Sequence, residues 1–158
     1  MATSYIELGA MIEWAIEVYD TIIVEEYIRG EEATATVIEG FRYQPQYVFP
    51  VAHIKRPAGA QYITNDHRMQ SQIQHVTPSQ FTVGQKKSLE DTARTVHQSL
   101  GLRHISHIDF IVTPRAQYVI DVNTAPLWEE RSVLESMLAS VGSNRLELLE
   151  HLIQIART

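Results

Sequence analysis

The stretch His107-Ile-Asp-Phe-Ile-Val-Thr-Pro-Arg-Ala-Gln-Tyr-Val-Ile-Asp-Val-Asn123 carries two carboxylates and a carboxamide at spacings that a hairpin would bring together. Two alternating apolar runs flank Thr113-Pro114-Arg115-Ala116, which has the composition of a turn. Folding the stretch so that Ile111 opposes Val119 also sets Asp109 opposite Asp121. Asp109, Ile111, Val119, Asp121 and Asn123 then share one face, with Phe110, Val112, Tyr118, Ile120 and Val122 on the other. Directly opposed residues lie roughly 4.5–5.5 Å apart at Cβ, where like charges are destabilising. Two readings account for the pair. A hard divalent cation, Mg²⁺ or Mn²⁺, suits carboxylate and amide oxygens and is commonly shared with substrate phosphates. Alternatively, the two aspartates lie on a solvated sheet face and Asn123 caps the turn that follows. The hairpin alone leaves both open. His104 and His107 point to opposite faces of a strand, which speaks against a transition-metal site of the type His-x-x-His-x-Asp.

Positioning this hairpin requires a larger sheet. Ser4 to Tyr19 spaces Ile6, Leu8, Met11, Ile12, Ala15 and Ile16 for one face of a helix, and Ser4 with Glu7 predicts a capping box. Thr21 to Ile28 and Ala33 to Ile38 are rich in β-branched and apolar residues and predict two strands around Gly30. Gly40 to Gln46 predicts a turn. Tyr47 to Ile54 predicts a third strand, with a bulge or edge at Pro50. Residues 55–84 read as a long polar loop. Lys86 to Leu100 predicts a helix closed by Gly101 at its C-cap, and helices over Arg131–Val141 and Asn144–Ala156 follow the hairpin. The expected fold class is α+β, a largely antiparallel sheet flanked by helices. Trp14, Tyr19 and Trp128 are read as core residues, with a partner surface as the alternative.

Composition narrows the function. The chain has 158 residues, which suits one domain. Thirteen Lys and Arg against nineteen Asp and Glu give a net charge of −6, without a basic run, so nucleic-acid binding is not expected. The absence of cysteine excludes disulfide scaffolds, thiolate zinc sites and cysteine nucleophiles. No stretch approaches the ~20 apolar residues of a membrane span. Glu7 and Glu13 interrupt the N-terminal apolar run, so no signal peptide is expected and the reading is of a cytoplasmic protein.

Two motifs in order carry a resemblance over nearly the whole chain, from about Tyr5 to Ile155. They are Val24-Glu-Glu-Tyr-Ile-Arg-Gly-Glu-Glu32 and Ile108-Asp-Phe-Ile…Tyr-Val-Ile-Asp-Val-Asn-Thr-Ala-Pro126, followed by Ser132 and Gly142. Together they resemble the ATP-grasp ligases, most closely the C-terminal half of D-alanine–D-alanine ligase. The resemblance implies one ATP-grasp C-terminal domain over 1–158: hinge strand and sheet over 20–54, long loop over 55–84, helix plus metal-binding hairpin over 85–126, and C-terminal helices over 127–158. It implies that Glu25, Glu26, Tyr27 and Ile28 run along the adenine of ATP and that Glu32 holds the ribose hydroxyls. Asp109, Asp121 and Asn123 match the Mg²⁺ (or Mn²⁺) ligands that bridge the phosphates. Ser132 matches a serine on the carboxylate of the second amino acid, and His107 stands where the family has a catalytic arginine. The implied reaction joins a carboxylate to an amine such as that of D-alanine through an acyl phosphate, with ADP and phosphate released.

Three other departures accompany His107. Asp121 replaces a glutamate, Leu127 replaces a glycine, and His67 with Arg68 stand where a loop lysine is usual. The family's upper sheet, which covers the phosphates, lies N-terminal to the matched region. The expectation is therefore the lower half of an active site, completed by an N-terminal region or a second copy of the chain. Two alternatives stand beside it: a non-catalytic nucleotide-binding or assembly module, and an ATP-grasp ligase with a different acceptor.

Overall fold

The alternation Glu31-Glu-Ala-Thr-Ala-Thr-Val-Ile-Glu39 forms β1, the central strand of a six-stranded antiparallel sheet in a computed structural model that describes residues 1–60, 62–63, 73–125 and 132–157. The elements run α1 (Tyr5–Val18), β1 (Glu31–Glu39), a 3₁₀ turn (Phe41–Tyr43), β2 (Gln46–Val48), β3 (Ala52–Lys55), β4 (Gln74–Val76), α2 (Val83–Ser99), β5 (Ile105–Val112), β6 (Gln117–Asn123), α3 (Val133–Ser140) and α4 (Arg145–Ile155). The strand order is β4-β3-β1-β5-β6, with β2 also paired to β1. The α+β expectation holds.

β1 is buried on both faces, which its alternating small residues permit. Ala33, Ala35 and Val37 pack with Ile108, Phe110 and Val112 beneath Leu89 and Ala93 of α2. On the other face Ile38, Phe49, Ala52 and Ile105 pack against Leu134, Met137 and Leu138 of α3 and Leu148 of α4. Each fully buried large side chain is worth roughly 1.5–3 kcal/mol.

Several boundaries differ from the sequence reading, each for a physical reason. Residues 21–28 make no strand among the described residues: no sheet ladder includes them, and Ile23, Val24 and Tyr27 stay exposed despite their β propensity. The third strand splits into β2 and β3 across Phe49–Val51, because Pro50 has no N–H to give a ladder. The long loop contains β4, which pairs with the outer edge of β3. α2 begins at Val83 rather than Lys86, because Thr82 and Gln85 form a complete capping box ahead of the amphipathic pattern. Gly101 closes the helix at φ +61°, as expected. Ser4 caps α1 by accepting from the Glu7 N–H, but the Glu7 carboxylate accepts from Thr3 at 2.7 Å instead of completing the box on Ser4.

The core reading of α1 is also overturned. None of its residues is buried; Trp14 is 61% exposed and Tyr19 is 56% exposed. Trp128, Leu127, His67 and Arg68 lie outside the described residues. Among the described residues no helix is long and apolar enough to cross a membrane.

Candidate active site

The site is built where β1, β5 and β6 run side by side. Thr34 of β1 opposes Asp109 of β5, and Asp109 in turn opposes Asp121 of β6. One step along, Thr36 opposes His107, which opposes Asn123. The expected facing of the two aspartates is therefore present. The expected partnership of Ile111 with Val119 is not: Ile111 pairs with Tyr118 and Phe110 with Val119. A bulge that leaves Ile120 without a partner shifts the register between Phe110 and Asp109. Without that extra residue, the register set by the turn would pair Asp109 with Ile120 and send Asp121 to the opposite face.

The buried Thr34 hydroxyl donates to Asp109 Oδ1 at 2.6 Å, and Asp109 itself is half-buried. Asp121 is exposed, and its Oδ1 accepts from the Val122 N–H at 2.9 Å. Asn123 Oδ1 accepts from the Ala125 N–H at 2.8 Å, the turn-capping contact that the solvated-face reading foresees. Among the described residues no three His, Asp or Glu side chains form a metal-holding group. The donors on offer are two carboxylates and an amide oxygen. That set fits a hard cation that takes its remaining ligands from phosphate and water.

His107 is buried. Its Nδ1 lies 2.7 Å from Thr36 Oγ1, which is also 3.1 Å from Met137 Sδ of α3. Burial pulls the imidazole down to about 4, and the nearby His75 adds to this. At neutral pH His107 is therefore uncharged, unlike the guanidinium that the resemblance places there. Ser132 is the N-cap of α3, where its Oγ accepts from the Glu135 N–H at 3.3 Å. Glu32 is half-buried, opposite both Ile54 and Ile111 and on the same face of β1 as Thr34 and Thr36.

Glu25, Glu26 and Tyr27 are exposed and Ile28 is half-buried, in the segment that leads into β1. Gly30 couples this segment to the sheet. A Cβ there would lie 2.6 Å from both Ile111 Cγ2 and the Val112 carbonyl oxygen, so only glycine allows this approach. Tyr27 lines an open groove of about 840 Å³ with Arg29, Glu31, His53, Lys55 and Arg56. Glu31 and His53 lie on the opposite face of the sheet from Thr34, so the structure brings Tyr27 to that groove and not to the aspartate pair.

The sequence reading missed Thr34, Thr36 and His75. The two threonines had a signal, since a buried strand that alternates Ala and Thr presents its hydroxyls to one neighbour. His75 had none, lying in the stretch read as loop.

The family model described as D-ala D-ala ligase C-terminus matches residues 1–154. A D-alanine–D-alanine ligase from Syntrophotalea carbinolica is 30% identical over 147 residues, covering 93% of this chain and 46% of that protein. Among solved structures, D-alanyl-alanine synthetase A from Vibrio cholerae is similar with a TM-score of 0.79 and 23% identity, over 97% of this chain and 46% of that one. The D-alanine–D-alanine ligase from Bacillus anthracis complexed with ATP gives a TM-score of 0.76 at 21% identity, over 96% of this chain and 46% of that one. The chain spans about half the length of these relatives.

Proposed function

Because the chain belongs to the family of D-alanine–D-alanine ligase C-terminal domains, we propose that it supplies the lower half of the active site of an ATP-dependent carboxylate–amine ligase. The observation that carries this reading is the facing of Asp109 and Asp121, with Thr34 bonded to the first. In this proposal Asp109, Asp121 and Asn123 hold Mg²⁺ or Mn²⁺ against the phosphates of ATP. The cation, when bound, would neutralise charge on the phosphates during transfer. Backbone groups of Glu25 to Ile28 and a carboxylate among them lie along the adenine, and Glu32 accepts from the ribose hydroxyls. Ser132 contacts the carboxylate of the acceptor amino acid at the N-terminus of α3, where helix N–H groups favour an anion. The terminal phosphate passes to a substrate carboxylate, the amine of an amino acid such as D-alanine attacks the acyl phosphate, and phosphate leaves as the C–N bond forms. His107 borders this chemistry as a neutral hydrogen-bonding group.

Calorimetric titration of the chain with ATP, with and without Mg²⁺, tests the half-site. Binding that requires Mg²⁺ and disappears in Asp109→Asn, with the fold unchanged by circular dichroism, is the expected result. Wild-type binding by Asp109→Asn, or no binding at millimolar ATP, sinks it. A second reading, a nucleotide-binding module without catalysis, draws support from the uncharged His107. It is distinguished by whether the chain, once completed by an N-terminal region that supplies the upper sheet, releases ADP when carboxylate and amine substrates are added.

A further inference from the structure

Thr34 is 3% exposed, lies on the central strand of the sheet, and donates its hydroxyl proton to Asp109 Oδ1 at 2.6 Å. The two residues are direct register partners, so the backbone ladder fixes their separation. Thr36 repeats the arrangement two residues on, with its hydroxyl 2.7 Å from the Nδ1 of its own register partner, His107. Facing β6 on the other side, Asp109 stands between a neutral donor and a like-charged carboxylate. A donor on one oxygen stabilises the ionised carboxylate and holds its plane, which is the service that outer-sphere partners give to metal-ligating carboxylates. A β-branched side chain on a strand has few rotamers, so the hydroxyl direction is set before any ligand arrives.

We infer that Thr34 is a positioning residue for Asp109: its hydroxyl sets the carboxylate in the orientation that receives the divalent cation. This rests on the proposed cation site at Asp109 and Asp121. Valine keeps the shape of threonine and suits a strand, but has no hydroxyl; serine keeps the hydroxyl and drops the methyl.

The test is titration of the chain with Mn²⁺ in the presence of ATP, followed by electron paramagnetic resonance of free Mn²⁺. Removing an outer-sphere partner typically costs roughly 10–100-fold in metal affinity. Thr34→Val should weaken Mn²⁺ by that factor at unchanged near-UV circular dichroism. Thr34→Ser should bind within about threefold of wild type even where its melting temperature drops. Equal binding by Thr34→Val and wild type, with Asp109→Asn inactive in binding, overturns the role of Thr34 and leaves the cation site standing. Equal weakening in Thr34→Ser and Thr34→Val also overturns it, since the hydroxyl is then not what matters. Mn²⁺ binding that is insensitive to Asp109→Asn, or absent from the wild type, overturns the cation site and this inference with it.

Discussion

Under the proposed assignment, His107 stands where the family carries an arginine, and its chemistry differs. An arginine there would carry a permanent charge, whereas His107 is held neutral by burial and by the neighbouring His75. The consequence for stability has a definite sign. In the unfolded chain the imidazole titrates near 6.5, and in the folded chain near 4. The unfolded state therefore binds more protons between those values. The native advantage is complete above about pH 6.5 and is lost as the pH falls towards 4. The ceiling on that loss is roughly 3 kcal/mol. Urea unfolding at pH 7, 5.5 and 4 should show a steeper decline for wild type than for His107→Gln; parallel declines would refute the buried neutral imidazole. The aspartate pair was legible because strand parity needs only a turn and two apolar runs. Thr36 as the partner of His107 was not, because the two are 71 residues apart and only the strand order brings them together.

Among the elements, the turn and the bulge act together. The sequence reading reached the correct facing of Asp109 and Asp121 through a register at Ile111 and Val119 that the hairpin does not adopt. The turn sets a register one residue different, and the bulge at Ile120 restores the facing. Alternation could not reveal this, because Val119 and Ile120 are both apolar and both exposed. Residues 21–28 are not a strand for a related reason: β propensity describes a fit to neighbouring strands, and no described strand of the sheet runs beside this segment. Gly30 joins that segment to β1 under close contact with β5. Gly30→Ala should lower stability by about 1–3 kcal/mol through overpacking, read as a drop in the urea midpoint. It should also weaken nucleotide binding by displacing Glu32. An unchanged midpoint would mean that the two strands part without cost.

For the molecule as a whole, fold class was legible and its distribution of burial was not. Helical periodicity marks α1 correctly as a helix, yet the apolar residues that made it look like a core helix are exposed. Periodicity reports that a face exists, not what covers it. Stability therefore resides in the sheet with α2, α3 and α4. Trp14→Ser should change the unfolding free energy by less than about 0.5 kcal/mol, while Leu134→Ala should cost about 2–5 kcal/mol. A large loss from Trp14→Ser would place α1 in the folding core after all.

The enclosure of β1 has a bearing on time as well as on position. Thr34 and Thr36 lie on a strand that is paired along both edges, by β5 on one side and by β2 and β3 on the other, with Phe49 also donating to the Thr36 carbonyl. No small opening frees such a strand; it separates only when the sheet does. The partners of Asp109 and His107 thus share the lifetime of the folded state.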